Sequence, residues 1–212
     1  MSKKYPGGFI TNLGTVGYSV FFGGTGDYLS APANAAFAFG TGNFTVEAWV
    51  FIQSYSDARF VFDTRSSVST AGMGFRVQTN GSLGYSDSAN NTLTSTGLVP
   101  LNTWTHIAWV RSGTTLTGYV NGVSGGSVSN SANITQNNGV IGAVGFSSGE
   151  RMFGYISNLR IVKGTALYTA NFTPPTQLLN VTNTSLLTCN SPAIVDQSSN
   201  NFPITVNGNA AV

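Results

Sequence analysis

Residues 104–122 read WTHIAWVRSGTTLTGYVNG, and the order of side chains in this stretch decides the fold. On an extended backbone Trp104, His106, Ala108 and Val110 fall on one face, and Thr105, Ile107, Trp109 and Arg111 on the other. After the turn-forming residues Ser112-Gly113-Thr114-Thr115 the alternation resumes, with Leu116, Gly118 and Val120 opposite Thr117, Tyr119 and Asn121. A period of two on both sides of a short polar turn predicts a β-hairpin. Asn121-Gly122 adds a second turn signal just before Val123, because both residues tolerate the backbone that a tight hairpin requires.

Working upstream, residues 44–52, FTVEAWVFI, predict a second strong strand. Phe44, Val46, Ala48, Val50 and Ile52 share one face and Thr45, Glu47, Trp49 and Phe51 the other, so apolar groups on both sides place it centrally. Between the two, ARFVFDT, FRVQT and SLGYS, with the turn Asn80-Gly81, predict a meander, and a polar loop over 87–97 leads into the central hairpin. Residues 18–22 and 27–31 read as two short strands around Gly23-Gly24-Thr25-Gly26, hence another hairpin. Downstream, GVIGAVG and RMFGYISNLRIVKG flank the turn Ser147-Ser148-Gly149. Strict alternation in the second puts Phe153, Tyr155, Ser157, Leu159 and Ile161 on one face and Ile156, Asn158 and Arg160 on the other. Pro174-Pro175 exclude residues 165–176 from a central strand, and LLTC and ITV supply closing strands. No helix longer than a turn or two and no repeat period is visible.

About a dozen short strands with regular turns imply an all-β, two-sheet antiparallel sandwich, with a barrel as the alternative. Residues 1–17, rich in glycine, read as an extended N-terminal arm ahead of one domain over 18–212. Composition agrees: 8% charged residues and 26 glycines beside 41% hydrophobic and 12% aromatic describe a folded, turn-rich chain with a neutral surface. Nine basic and seven acidic residues are scattered, so no stripe for nucleic acid forms. The lysines at 3 and 4 precede no apolar run, so neither a signal peptide nor a membrane span is expected, and synthesis in a cytoplasm is.

Three segments in order, YSVFFGGTGDYLSAPANAAFAFGTGNFTVEAWVFI, NTWTHIAWVRSGTTLTGYVNGV and RMFGYISNLRIVKGTALYTANFTPP, resemble laminin-G-like jelly-roll domains of the concanavalin A-like lectin and glucanase fold. They cover roughly residues 18–175. The arm's YPGGFIT, the exit LYTANFTPP and the tail LLTCN…IVDQSSNNFPITVNG are similar to versions in tailed-bacteriophage structural proteins. That resemblance implies a non-enzymatic virion protein made in the host cytoplasm, a capsid decoration or head fibre component. It would dock on the major capsid protein, or on tail or fibre proteins, by a sandwich face and by its arm, where Lys3, Lys4, Tyr5 and Phe9 are the candidate contacts. A low-charge surface suits many copies packed side by side and hence a homo-oligomer. The alternative is a tail-fibre adhesin that binds host surface glycan.

Glycoside hydrolases of the same fold place two carboxylates on one strand. Here Glu47 has no second acid on its strand, so it reads as a structural carboxylate paired with an arginine or hydroxyl beneath a loop. His106, the one histidine, lacks the nucleophile and acid of a triad or the companions of a metal site, and reads as a satisfied sheet residue. Cys189, the one cysteine, reads as a small buried hydrophobe. No cofactor is expected; calcium, which relatives of the fold bind at the sandwich rim, is the one ion to weigh, with Asp27 and Asp87 as oxygen donors. For sugar, aromatic faces and neutral polar groups in loops single out Tyr85, Asn90, Asn91 and Phe146.

Overall fold

The computed structural model describes residues 9–10, 16–68, 71–87, 93 and 96–212. Fifteen strands follow in order among them: β1 (Phe9–Ile10), β2 (Val16–Gly17), β3 (Val20–Gly23), β4 (Tyr28–Ala31), β5 (Phe44–Ile52), β6 (Arg59–Asp63), β7 (Gly74–Val77) and β8 (Leu83–Ser86). Then come β9 (Thr105–Ser112), β10 (Thr115–Val120), β11 (Val123–Ser129), β12 (Gly139–Ile141), β13 (Phe153–Lys163), β14 (Thr184–Thr188) and β15 (Thr205–Asn207). The single helical element among the described residues is a 3-10 turn at Ala35–Phe37. No helix there is long and apolar enough to cross a membrane.

The sandwich expected from the sequence is present. One sheet runs β11-β10-β9-β5-β13-β14, with β3 also paired to β13; the other runs β15-β4-β12-β6-β7-β8. The expected hairpins β9–β10, β10–β11 and β7–β8 all form, and the first two turn through left-handed residues at Gly113, Asn121 and Gly122. Alternation in β5 is as read: Phe44, Val46, Ala48, Val50 and Ile52 are all sealed in the core between the sheets. Phe75 of β7 bolts the layers together, meeting Trp109 of β9 at 5.5 Å and Phe44 of β5 at 5.7 Å. Arg111 also turns inward. It carries five hydrogen bonds to the carbonyls of Gly40, Gly42 and Ala132 and to Asn130, and lies over the Phe44 ring. Burial pushes its guanidinium down to about 10.

Two sequence expectations are corrected. Residues 18–31 are not a hairpin: β3 pairs with β13 in one sheet and β4 with β12 and β15 in the other. The turn over 23–26 therefore carries the chain across the sandwich. Asp27 fixes the crossing, one carboxylate oxygen accepting from the Gly23 N–H at 2.7 Å and the other from the Asn209 N–H at 2.7 Å.

In β13 the alternation breaks. Asn158 has φ of 52°, and the pairing with β5 steps from Ser157↔Trp49 to Arg160↔Glu47, so that Asn158 and Leu159 together lie opposite Ala48. This is a β-bulge. Ile156 lies in the core before it, and Leu159 and Ile161 lie in the core after it. Arg160 is thereby transferred to the outer face, the face it could not share with Tyr155 and Ser157 under strict alternation.

Candidate functional site

The outer face of the seven-stranded sheet holds a cluster of charged and polar side chains, and it is closed. Glu47 on β5, His106 on β9 and Arg160 on β13 are neighbours in register there. Arg160 donates to Oε1 of Glu47 from Nε at 2.9 Å and from Nη2 at 2.6 Å. Oε2 lies 3.1 Å from His106 Nε2 and accepts the Tyr168 hydroxyl at 3.0 Å. Burial pushes the Glu47 carboxyl up, but the His106 hydrogen bond and the Arg160 and His106 charges together outweigh it and hold it below its ordinary 4.5. Tyr168 responds oppositely: burial, then the Glu47 charge, drives its hydroxyl up.

Residues 165–175 form the strap that closes this face. Thr45 Oγ1 donates to the Thr165 carbonyl and accepts the Leu167 N–H, the Phe172 N–H bonds the Gly122 carbonyl, and Trp49 Nε1 bonds the Pro175 carbonyl. Tyr168 and Phe172 stack at 3.5 Å between centroids, over Ala108, Val110 and Tyr119. A Cβ on Gly122 would fall on the Phe172 carbonyl oxygen, so only glycine lets the strap come this close. Glu47, at 0% exposure with both oxygens engaged, cannot reach a substrate. This is the structural carboxylate the sequence suggested, beneath a loop and paired to both an arginine and a hydroxyl. His106 is satisfied through Nε2, while Nδ1 has no hydrogen-bond partner among the described residues.

The open chemistry sits at the outer face of the other sheet, where the loop after β12 folds beside β4. Tyr28, Val140, Phe146, Ser147, Ser148 and Arg151 line a hollow of about 400 Å³ there, within the range of small-ligand sites. The loop is held at both ends. Asp63, fully buried, receives Arg65 through two nitrogens at 2.9 Å and also the Gly145 N–H at 3.1 Å. Asp57 receives the Glu150 N–H at 3.1 Å, and Arg59 Nη1 donates to the Arg151 carbonyl at 2.9 Å. Arg65 lies against the Phe146 ring at 5.1 Å and so sets its orientation, while Phe146 remains 37% exposed. The guanidinium of Arg151 lies over Tyr28 at 5.2 Å. Two aromatic rings, two hydroxyls and an arginine thus line one hollow on a braced loop.

Of the sugar candidates read from the sequence, Phe146 is the one placed here. Tyr85 is corrected: it belongs to β8, is 1% exposed and packs in the core, because the short strand turns it inward. Asn90 and Asn91 lie outside the described residues, as do Lys3, Lys4 and Tyr5 of the arm. Phe9 is described only as backbone of β1, paired antiparallel to β2. Asp27 and Asp87 are buried at opposite edges of the six-stranded sheet, and no group of three or more potential metal-ligating side chains occurs among the described residues. Asp27 has spent both oxygens on backbone N–H groups, and Asp87 accepts from Asn130 at 3.3 Å. Tyr28 and Arg151 were missed by the sequence reading; only the crossing of the chain at 23–26 brings Tyr28 to this loop. A larger polar groove of about 1070 Å³, lined among others by Lys163, Asn180, Gln197 and Asn200, has no aromatic ring in its walls, and its lysine is bonded to the Ala35 carbonyl.

Residues 22–168 match the model of the concanavalin A-like lectin/glucanases superfamily, in its laminin G form, and the chain belongs to that family. Solved structures share the fold at low identity. A putative carbohydrate binding protein from Bacteroides ovatus is 20% identical with a TM-score of 0.66, over 90% of this chain and 58% of that one. Domain 4 of a GH43 extracellular arabinanase from Geobacillus stearothermophilus, in complex with arabinotriose, is 19% identical at 0.57, over 76% and 81%. The heptameric SAP-like pentraxin of Limulus polyphemus is 19% identical at 0.57, over 72% and 78%. No curated protein sequence matches the chain.

Proposed function

We propose that this protein is a non-catalytic glycan-binding module of a virus particle, attaching the particle to surface polysaccharide through the hollow between Tyr28, Phe146 and Arg151. The observation that carries the reading is the braced loop, which presents an aromatic face and hydroxyls to solvent, while the face bearing Glu47 is sealed by the strap. Sugars are bound by such surfaces because their C–H faces stack on aromatic rings and their hydroxyls pair with neutral polar groups. The lectin fold supports this reading, as do the carbohydrate-binding neighbours at the level of fold. The phage-like exit and tail segments support the particle.

The test is a polysaccharide panel with native protein and the Phe146→Ala variant. Saturable binding to at least one polysaccharide, weakened at least tenfold in the variant at unchanged melting temperature, is expected; binding by neither protein refutes the reading. The copy number in density-purified particles separates the roles that remain: hundreds per particle indicate capsid decoration with arm docking and side-by-side copies, a few indicate a tail adhesin, and none removes the virion.

A further inference from the structure

The chain has six arginines, and five of them commit at least one terminal nitrogen of the guanidinium to the protein. Arg59 binds Ser56 and the Arg151 carbonyl, Arg65 binds Asp63, and Arg76 binds Ser86. Arg111 binds four backbone and side-chain acceptors, and Arg160 binds Glu47 and Leu179. Arg151 differs. Its Nε donates to the Ser148 carbonyl at 3.1 Å, while among the described residues the buried Nη1 and the open Nη2 have no hydrogen-bond partner and no carboxylate lies within ion-pair distance.

Nearby acids do not fill the gap. Asp57 receives the N–H groups of Ala58 and Glu150, Asp63 receives Arg65, and the Glu150 charge acts on Arg76. The guanidinium is also held in place, over the Tyr28 ring and tied to its own loop through Nε, so little freedom is lost when a ligand engages it. A guanidinium that offers the unspent Nη2 beside an aromatic ring and the hydroxyls of Ser147 and Ser148 is suited to a carboxylate carried on a sugar ring.

We propose that the ligand of this hollow is an acidic saccharide, its carboxylate received by Arg151 and its ring face by Phe146. This rests on the glycan reading above and names the substrate class within it. A charge-assisted contact of this kind changes affinity by roughly 10- to 100-fold.

The experiment measures binding to polygalacturonate, alginate and hyaluronan, each beside its carboxyl-reduced counterpart and beside the neutral polymers arabinan and galactan. Native protein, Arg151→Gln and Arg151→Lys are compared, with melting temperatures confirming the fold. The expected result is binding to at least one acidic polymer, weakened about 10- to 100-fold by carboxyl reduction and to a similar degree in Arg151→Gln, with Arg151→Lys intermediate. Equal binding to the reduced polymers, binding confined to neutral polymers, or full binding by Arg151→Gln overturns the acidic-saccharide proposal and leaves the glycan reading standing. Binding to no polymer overturns both.

Discussion

Replacing Glu47 by glutamine exchanges one oxygen for a nitrogen of nearly the same size and removes one charge, so the change in stability reports the cluster rather than a cavity. The Arg160 guanidinium then remains beneath the strap with its two bonds to Oε1 weakened and its countercharge gone, and the new amide nitrogen confronts either a donor of Arg160 or the Tyr168 hydroxyl. Breaking a buried pair in this way costs about 3–5 kcal/mol, a large fraction of the roughly 5–15 kcal/mol that holds a domain together. With a urea slope of about 2–3 kcal/mol/M, the unfolding midpoint should fall by about 1–2 M at pH 7. The pH dependence gives a second readout. Because the folded carboxyl titrates below its ordinary 4.5, its stabilisation is fully present above that value and is lost as pH falls through the folded value. The gap between native protein and variant should therefore be constant from pH 7 to about 5 and close on further acidification. A midpoint shift below about 0.3 M at pH 7, which is under 1 kcal/mol at that slope, or a gap that widens in acid, would refute the reasoning.

Gly122→Ala combines a left-handed backbone, φ of 75°, with a methyl group placed on the Phe172 carbonyl. A loss of about 2–4 kcal/mol follows from backbone strain and the displaced strap, lowering the melting temperature by roughly 5–15 °C; chymotrypsin should then cut at Tyr168 or Phe172, and a native-like cleavage pattern would contradict the strap's role. Cys189 is 2% exposed and burial pushes its thiol up to about 12. A disulfide reagent at pH 8 should leave the folded protein unmodified for the hour in which the denatured chain reacts fully, and rapid reaction of the folded form would contradict the burial.

The layers of this fold are legible wherever local pattern and tertiary outcome agree. Alternation in 44–52 and 104–120 identifies the inner faces of β5, β9 and β10 because those strands keep an unbroken period of two. The turn at 23–26 shows where reading stops: glycines announce a reversal but carry no record of whether the flanking strands pair with each other or with different sheets. In β13 an asparagine that looks like one more outward side chain takes the left-handed conformation, and nothing in the local composition separates the two. Tyr85 was misjudged for a related reason, since a tyrosine suits a loop surface and a short inward-facing strand equally well. Glu47 was read correctly because a lone acid in an apolar strand needs a partner, although the identity of that partner depended on the bulge. The hollow was half legible: Phe146 sits in an obvious turn, whereas Tyr28 and Arg151 are 123 positions apart in sequence (151 minus 28) and meet only through the sandwich.

The extra residue in β13 makes length, not identity, the sensitive variable of that strand. Removing position 158 would erase the bulge and keep the phase, with Leu159 facing Ala48 and Arg160 still facing Glu47, whereas one residue inserted after it would expel Leu159 and Ile161 from the interior and drive Arg160 in among the phenylalanines, with Glu47 left behind on the far side. A conservative exchange at any one of these positions perturbs a single contact, but a one-codon insertion exchanges the inside and outside of half the longest strand at once.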